Sequence, residues 1–104
     1  MQTIKIIVGD DETFRCSVKP HLNGLVADPT SGTCDFAFIA PGEALDEEHA
    51  SWEPGTWQTD PDGSYYACVG LSAVSVGTYF CYCRIQALSQ KVLRKVGVFR
   101  VDPA

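Results

Sequence analysis

Gly77-Thr78-Tyr79-Phe80-Cys81-Tyr82-Cys83-Arg84-Ile85 is the stretch on which the fold turns. It is dense in aromatic residues, which suit a pleated surface far better than a helix. Side chains alternate across a strand. Tyr79, Cys81, Cys83 and Ile85 therefore share one face, and Thr78, Phe80, Tyr82 and Arg84 share the other. The first face can be buried wholly. The second is half apolar, more than a solvent-facing strand requires. The stretch reads as a central strand whose outer side is also covered, at least in part.

Working outward, strand signatures recur on both sides. Ile4, Ile6 and Val8 alternate with Thr3, Lys5 and Ile7, and Gly9-Asp10-Asp11 turns the chain. Phe14, Cys16 and Val18 alternate with Thr13, Arg15, Ser17 and Lys19, the period of a half-buried strand. His21 to Ser31 reads as a loop, with turn signals at Asn23-Gly24 and Asp28-Pro29. Thr33 to Ile39 is a strand with Cys34, Phe36 and Phe38 on one face and Asp35, Ala37 and Ile39 on the other. An acidic insert follows at about 41–59. Its Glu43 to Ser51 part is expected to form a turn or two of helix, its charges a solvated face. Trp52 and Trp57 flank a turn, and Trp57 to Thr59 forms a short edge strand. Asp60-Pro61-Asp62-Gly63 is a tight turn. Tyr65, Ala67, Val69 and Leu71 then share one strand face. Leu88-Ser89-Gln90 turns the chain into a last strand, Val92 to Val101. Its alternation slips near Arg94-Lys95, which predicts a bulge, with Val96 and Val98 facing away from Phe99 and Val101.

The composition is 45% hydrophobic and 20% charged over 104 residues, which fits one globular domain spanning 1–104 and excludes a disordered chain. The net charge of −5 gives nothing to gain from counterion release on nucleic acid, so no nucleic-acid partner is expected. No run is long and apolar enough to cross a membrane, so none is expected there either. The first residues lack a secretory layout and start a strand at once, which points to synthesis and retention in a reducing cytoplasm. The five cysteines are odd in number, form no CxxC pair and read chiefly as small buried hydrophobes. About seven short strands separated by turn signals in a chain this long match an immunoglobulin-like β-sandwich of antiparallel strands, an all-β fold.

Two resemblances sharpen this. Val76-Gly77-Thr78-Tyr79-Phe80-Cys81 loosely resembles the tyrosine corner of antibody-type domains, and a Cys16–Cys81 bridge would suit their inter-sheet position. The tryptophan such domains carry a dozen residues after the first cysteine is missing, so an extracellular immunoglobulin domain is not expected. Gly9-Asp10, Asp28-Pro29-Thr30, Pro41-Gly42, Gly63-Ser64-Tyr65, Gly77-Thr78-Tyr79-Phe80 and Phe99-Arg100-Val101, in that order, resemble the small immunoglobulin-like virion proteins of tailed bacteriophages. The long acidic insert and the number of cysteines depart from that pattern. The resemblance implies a structural protein of the virion, made in the host cytoplasm. Its expected role is head decoration, with a neck or tail position as the alternative. It would bind the major capsid protein or other virion proteins, or copies of itself.

Reaction chemistry finds little footing. Asp60-x-Asp62-Gly63 opens like a calcium loop but lacks the later oxygen ligands. His21 and His49 stand alone, and the acidic run Asp46-Glu47-Glu48 has no partner legible in sequence for glycosidase work. No enzyme activity, cofactor or metal is expected. The expected interface is the outer side of the central strand, where Phe80 and Tyr82 lie beside Ala37 and Ile39 on one neighbour and Val96 and Val98 on the other. Either the insert, with Trp52 and Trp57, folds over this patch or another subunit does. A second class of function, a carbohydrate-binding or adhesin module, would use Trp52 and Trp57, with Tyr65 and Tyr66, to stack sugars.

Overall fold

The computed structural model describes residues 3–9, 11–22, 25–72, 74–87 and 89–103. The turn residues Asp10, Asn23-Gly24 and Leu88 lie outside them. The strands are β1 (Thr3–Ile7), β2 (Thr13–Val18), β3 (His21–Leu22), β4 (Leu25–Val26), β5 (Thr33–Ile39), β6 (Glu53–Pro54), β7 (Thr56–Thr59), β8 (Tyr65–Gly70), β9 (Gly77–Ala87) and β10 (Gln90–Asp102). One sheet has the order β1-β10-β9-β5-β6, the other β2-β8-β7, and β3-β4 form a separate small hairpin. The chain is an all-β sandwich with β9 at the centre of the larger sheet.

The seven longer strands are the expected ones, and β3, β4 and β6 add two-residue pairings too short to leave a period in sequence. Two expectations need correction. Pairing is not wholly antiparallel, since β1 runs parallel to β10 with Ile4 opposite Phe99 and Ile6 opposite Val101. Alternation reports which face a residue takes, not the direction of the neighbouring strand. The insert contains no helix among its described residues; within Glu43–Ser51 one turn closes at Ala50, whose N–H donates to Asp46 O at 2.8 Å.

The core lies between the sheets. Phe36, Phe99 and Cys81 are fully buried there, with Ala67, Val69 and Leu71 facing them from β8 and beyond its end. Phe14 meets Phe99 edge to face at 5.0 Å and Phe36 at 6.2 Å, so one ring from β2 locks the two sheets together. Each such pair adds about 0.5–1.5 kcal/mol beyond the area it buries. Gly97 presents no side chain to these rings, and the register slips between Lys95 and Gly97. That is the bulge expected from the sequence. It turns Val96 inward against the core, so Val96 does not belong to the outer face with Val98. An extra residue in one strand reverses the alternation locally.

Strand β9 starts where the sequence places it. Gly77 has φ +147°, and Tyr79 Oη donates to Val76 O at 3.4 Å, so the ring folds back over the start of the strand. A Cβ at Gly77 would stand 3.2 Å from that hydroxyl. The insert leaves β5 at Ile39, pairs with it again through β6, and crosses to the other sheet as β7. Gly55 is the crossing point, its N–H donating to Cys34 O at 2.7 Å.

Candidate functional site

Cross-strand register sets out the outer face of the larger sheet in rows. Ile39, Phe80 and Val98 form one, Ala37, Tyr82 and Lys95 the next, and Asp35, Arg84 and Leu93 the third. Ala37 is fully buried, and Ile39, Phe80, Tyr82 and Val98 are half-buried. The Lys95 ammonium sits 3.6 Å from the Phe80 ring centroid, a cation–π contact that shields part of the apolar row.

The insert covers the third row. The Arg84 guanidinium stacks 4.1 Å from the Trp52 ring and donates to Asp35 Oδ2 at 3.1 Å. Glu47 lies 3.7 Å from Arg84 and accepts from Lys91 Nζ at 2.9 and 3.1 Å. Trp52 Nε1 donates back to Glu47 O at 3.0 Å. Lys91 holds the Glu47 carboxyl below its ordinary value, with Arg84 adding to the effect. Glu47 is thus an anchor within a run expected to be a solvated face, while Glu43 and Glu48 are exposed and Asp46 pairs with His49 at 2.7 Å. An arginine in the middle of an aromatic strand was the one sequence signal for this network.

Trp57 does not join Trp52. It lies in β7 of the opposite sheet, packs against the core and donates through Nε1 to Gly32 O at 3.1 Å. Alternation on a four-residue strand could not tell core from surface. Tyr66 carries Arg15 4.0 Å above its ring. Trp52, Trp57 and Tyr66 therefore form no common platform for stacking sugars. Asp62, considered for calcium, spends Oδ1 on Ser64 N–H at 2.9 Å, and its carboxyl is lowered by that bond.

All five cysteines are free, and four of them are buried. The half-buried Cys16 forms no bridge to Cys81; its own S–H donates to Ser17 O at 3.8 Å, and Cys83 and Cys81 both lie within its electrostatic reach. The hydrogen bond from Cys83 lowers Cys16 from 9.0 to about 7 against the opposing effect of burial, while the same bond and burial push Cys83 up. Burial also pushes Cys81 up to about 12 and Cys34 up to about 11.

Cys16 and Cys83 line a cleft of about 390 Å³ between the sheets, beside Val18, Ile85, Val92 and Val96. It lies on the side where β2 is the edge of the smaller sheet. Sequence reading missed it, because a cleft is set by which strands lack neighbours. No protein-family model matches the chain, and no curated protein matches it by sequence.

Proposed function

We propose that this chain is a non-enzymatic structural protein of a tailed-bacteriophage virion, a head decoration protein that binds the assembled shell. The observation that carries the reading is the half-covered outer face of the larger sheet. The insert clamps the Asp35–Arg84–Leu93 row, and the Ile39–Phe80–Val98 row, beyond the Ala37–Tyr82–Lys95 row, stays half-exposed on an acidic molecule. Exposed Ile7, opposite Asp102, is separated from that row by the exposed polar row Lys5, Arg100 and Thr78, which bounds the apolar ground on that side. Contact through this face, completed by neighbouring subunits to roughly 1,200–2,000 Å² of buried surface, would add area between shell proteins and resist internal pressure. The ordered phage-like motifs supply the choice of assembly. Sugar stacking is the weaker reading, because Trp57 is in the core and Trp52 lies under Arg84.

Particles of the phage carrying this gene test the proposal. The chain is expected in purified virions at a fixed ratio to the major capsid protein. Phe80→Glu, whose carboxylate keeps Lys95 as a partner, should fold normally by circular dichroism and fall at least about tenfold in particles. Full incorporation of that variant removes the face from the proposal, and absence of the wild-type chain from virions removes the virion role.

A further inference from the structure

The sandwich is closed along one side and open along the other. On the closed side the chain crosses between sheets through β6, Gly55 and β7. On the open side β1 pairs with β10 alone, over Thr3–Ile7, and no described strand pairs with the outer edge of β2. Thr13–Val18 therefore offers a row of backbone donors and acceptors to any chain laid beside it. Behind that edge lies the cleft, floored by Ile85, Val92 and Val96. Val92 points between the sheets opposite Ile85 yet is 37% exposed, since the smaller sheet ends before covering it.

We propose that this open side binds an extended segment of another protein as a fourth strand beside β2. Its aliphatic side chains at alternate positions enter the cleft, and acidic residues lie between them. Strand addition follows from the free edge, with main-chain bonds supplying affinity and the cleft supplying side-chain choice. The aliphatic positions follow from the lining. The acidic ones follow from charge: Lys19 stands at the end of β2 and Arg94 at the rim, both outside every described ion pair, Arg15 on the outward face of β2 is already held by Asp60 at 3.8 Å, and no carboxylate lines the cleft. An added strand would set its outward side chains opposite those cations, where opposite charges attract. A second copy fits less well. Its own aliphatic strand β1 carries Lys5, and each copy carries a net charge of −5, so two copies repel. The inference does not depend on the virion role.

The probes are a soluble peptide alternating Val and Glu and its Val–Lys counterpart, titrated into the full chain. Amide resonances of Thr13–Val18 should shift with the Val–Glu peptide, and Cys16 in the cleft should be protected from iodoacetamide. Lys19→Glu with Arg94→Glu, two exposed residues outside every described ion pair, should weaken that peptide by about tenfold and admit the Val–Lys one. Three results overturn the proposal: no shift along β2, equal binding of both peptides by the wild-type chain, or β2 amides that broaden with protein concentration alone, which would make a second copy the occupant. Strand binding by a chain absent from virions would overturn only the virion role.

Discussion

Cys16 shows how one contact changes a residue's chemistry. Its position on the inner face of β2 was legible as alternation, and alternation alone made it a small hydrophobe like the other cysteines. The fold sets it near Cys83 in the lining of a cleft, where Cys83 favours its thiolate against its long S–H bond to Ser17 O. Alkylation of the native chain should therefore modify Cys16 first, with a rate half-maximal near pH 7. Cys34 and Cys81 should lag, since burial pushes both up. Mass spectrometry of iodoacetamide-treated protein across a pH series measures this. Cys83→Ala should return the midpoint toward the ordinary 9.0; a midpoint unchanged by that substitution would show that Cys83 is not the cause.

The acidic insert is the element whose role only the contacts explain. Its residues look like a solvated loop, yet Glu47 and Trp52 tie it across Arg84 and Lys91. A carboxyl with a lowered folded-state pKa contributes stability that is whole above its unfolded value. That contribution is lost as pH falls through the folded one. For Glu47 the ordinary value is 4.5, and Lys91 is the main cause of its lowering. Docking of the insert should be complete above about pH 4.5 and loosen below it as Glu47 protonates. The Trp52 indole N–H resonance, bonded to the Glu47 carbonyl, reports this directly. Lys91→Ala should move the transition to higher pH; an indole resonance indifferent to acid between neutral pH and the lowered value would show that Glu47 does not hold the insert.

At the scale of the molecule, the crossing at Gly55 decides which side of the sandwich is shut. A Cβ there would stand 2.8 Å from Cys34 Sγ, 2.9 Å from Cys34 O and 2.9 Å from Phe36 Cε1. Backbone and a fully buried ring cannot yield cheaply. Gly55→Ala should cost about 1–3 kcal/mol in urea unfolding, the usual range for overpacking. Gly70→Ala, with open space at the Cβ position, should change stability by less than about 1 kcal/mol. Equal effects from the two would show that the crossing is loosely packed. The open side, by contrast, has a free strand edge and an uncovered apolar lining, and both proposals about partners draw on the same asymmetry. One uses the half-covered outer face, the other the unpaired edge.

The alternation of apolar residues by itself determined that this chain is a β-sandwich. It also placed the inner faces of β1, β2, β5, β8 and β9, and it located the slip in β10. These depend on local period, which every strand carries along its own length. Tertiary structure decided what no period encodes: the parallel pairing of β1, the inward turn of Val96, the separation of Trp52 from Trp57, and the side left open. Each depends on which distant segments become neighbours, and burial or pairing between them is a property of the assembled sheets rather than of any stretch alone.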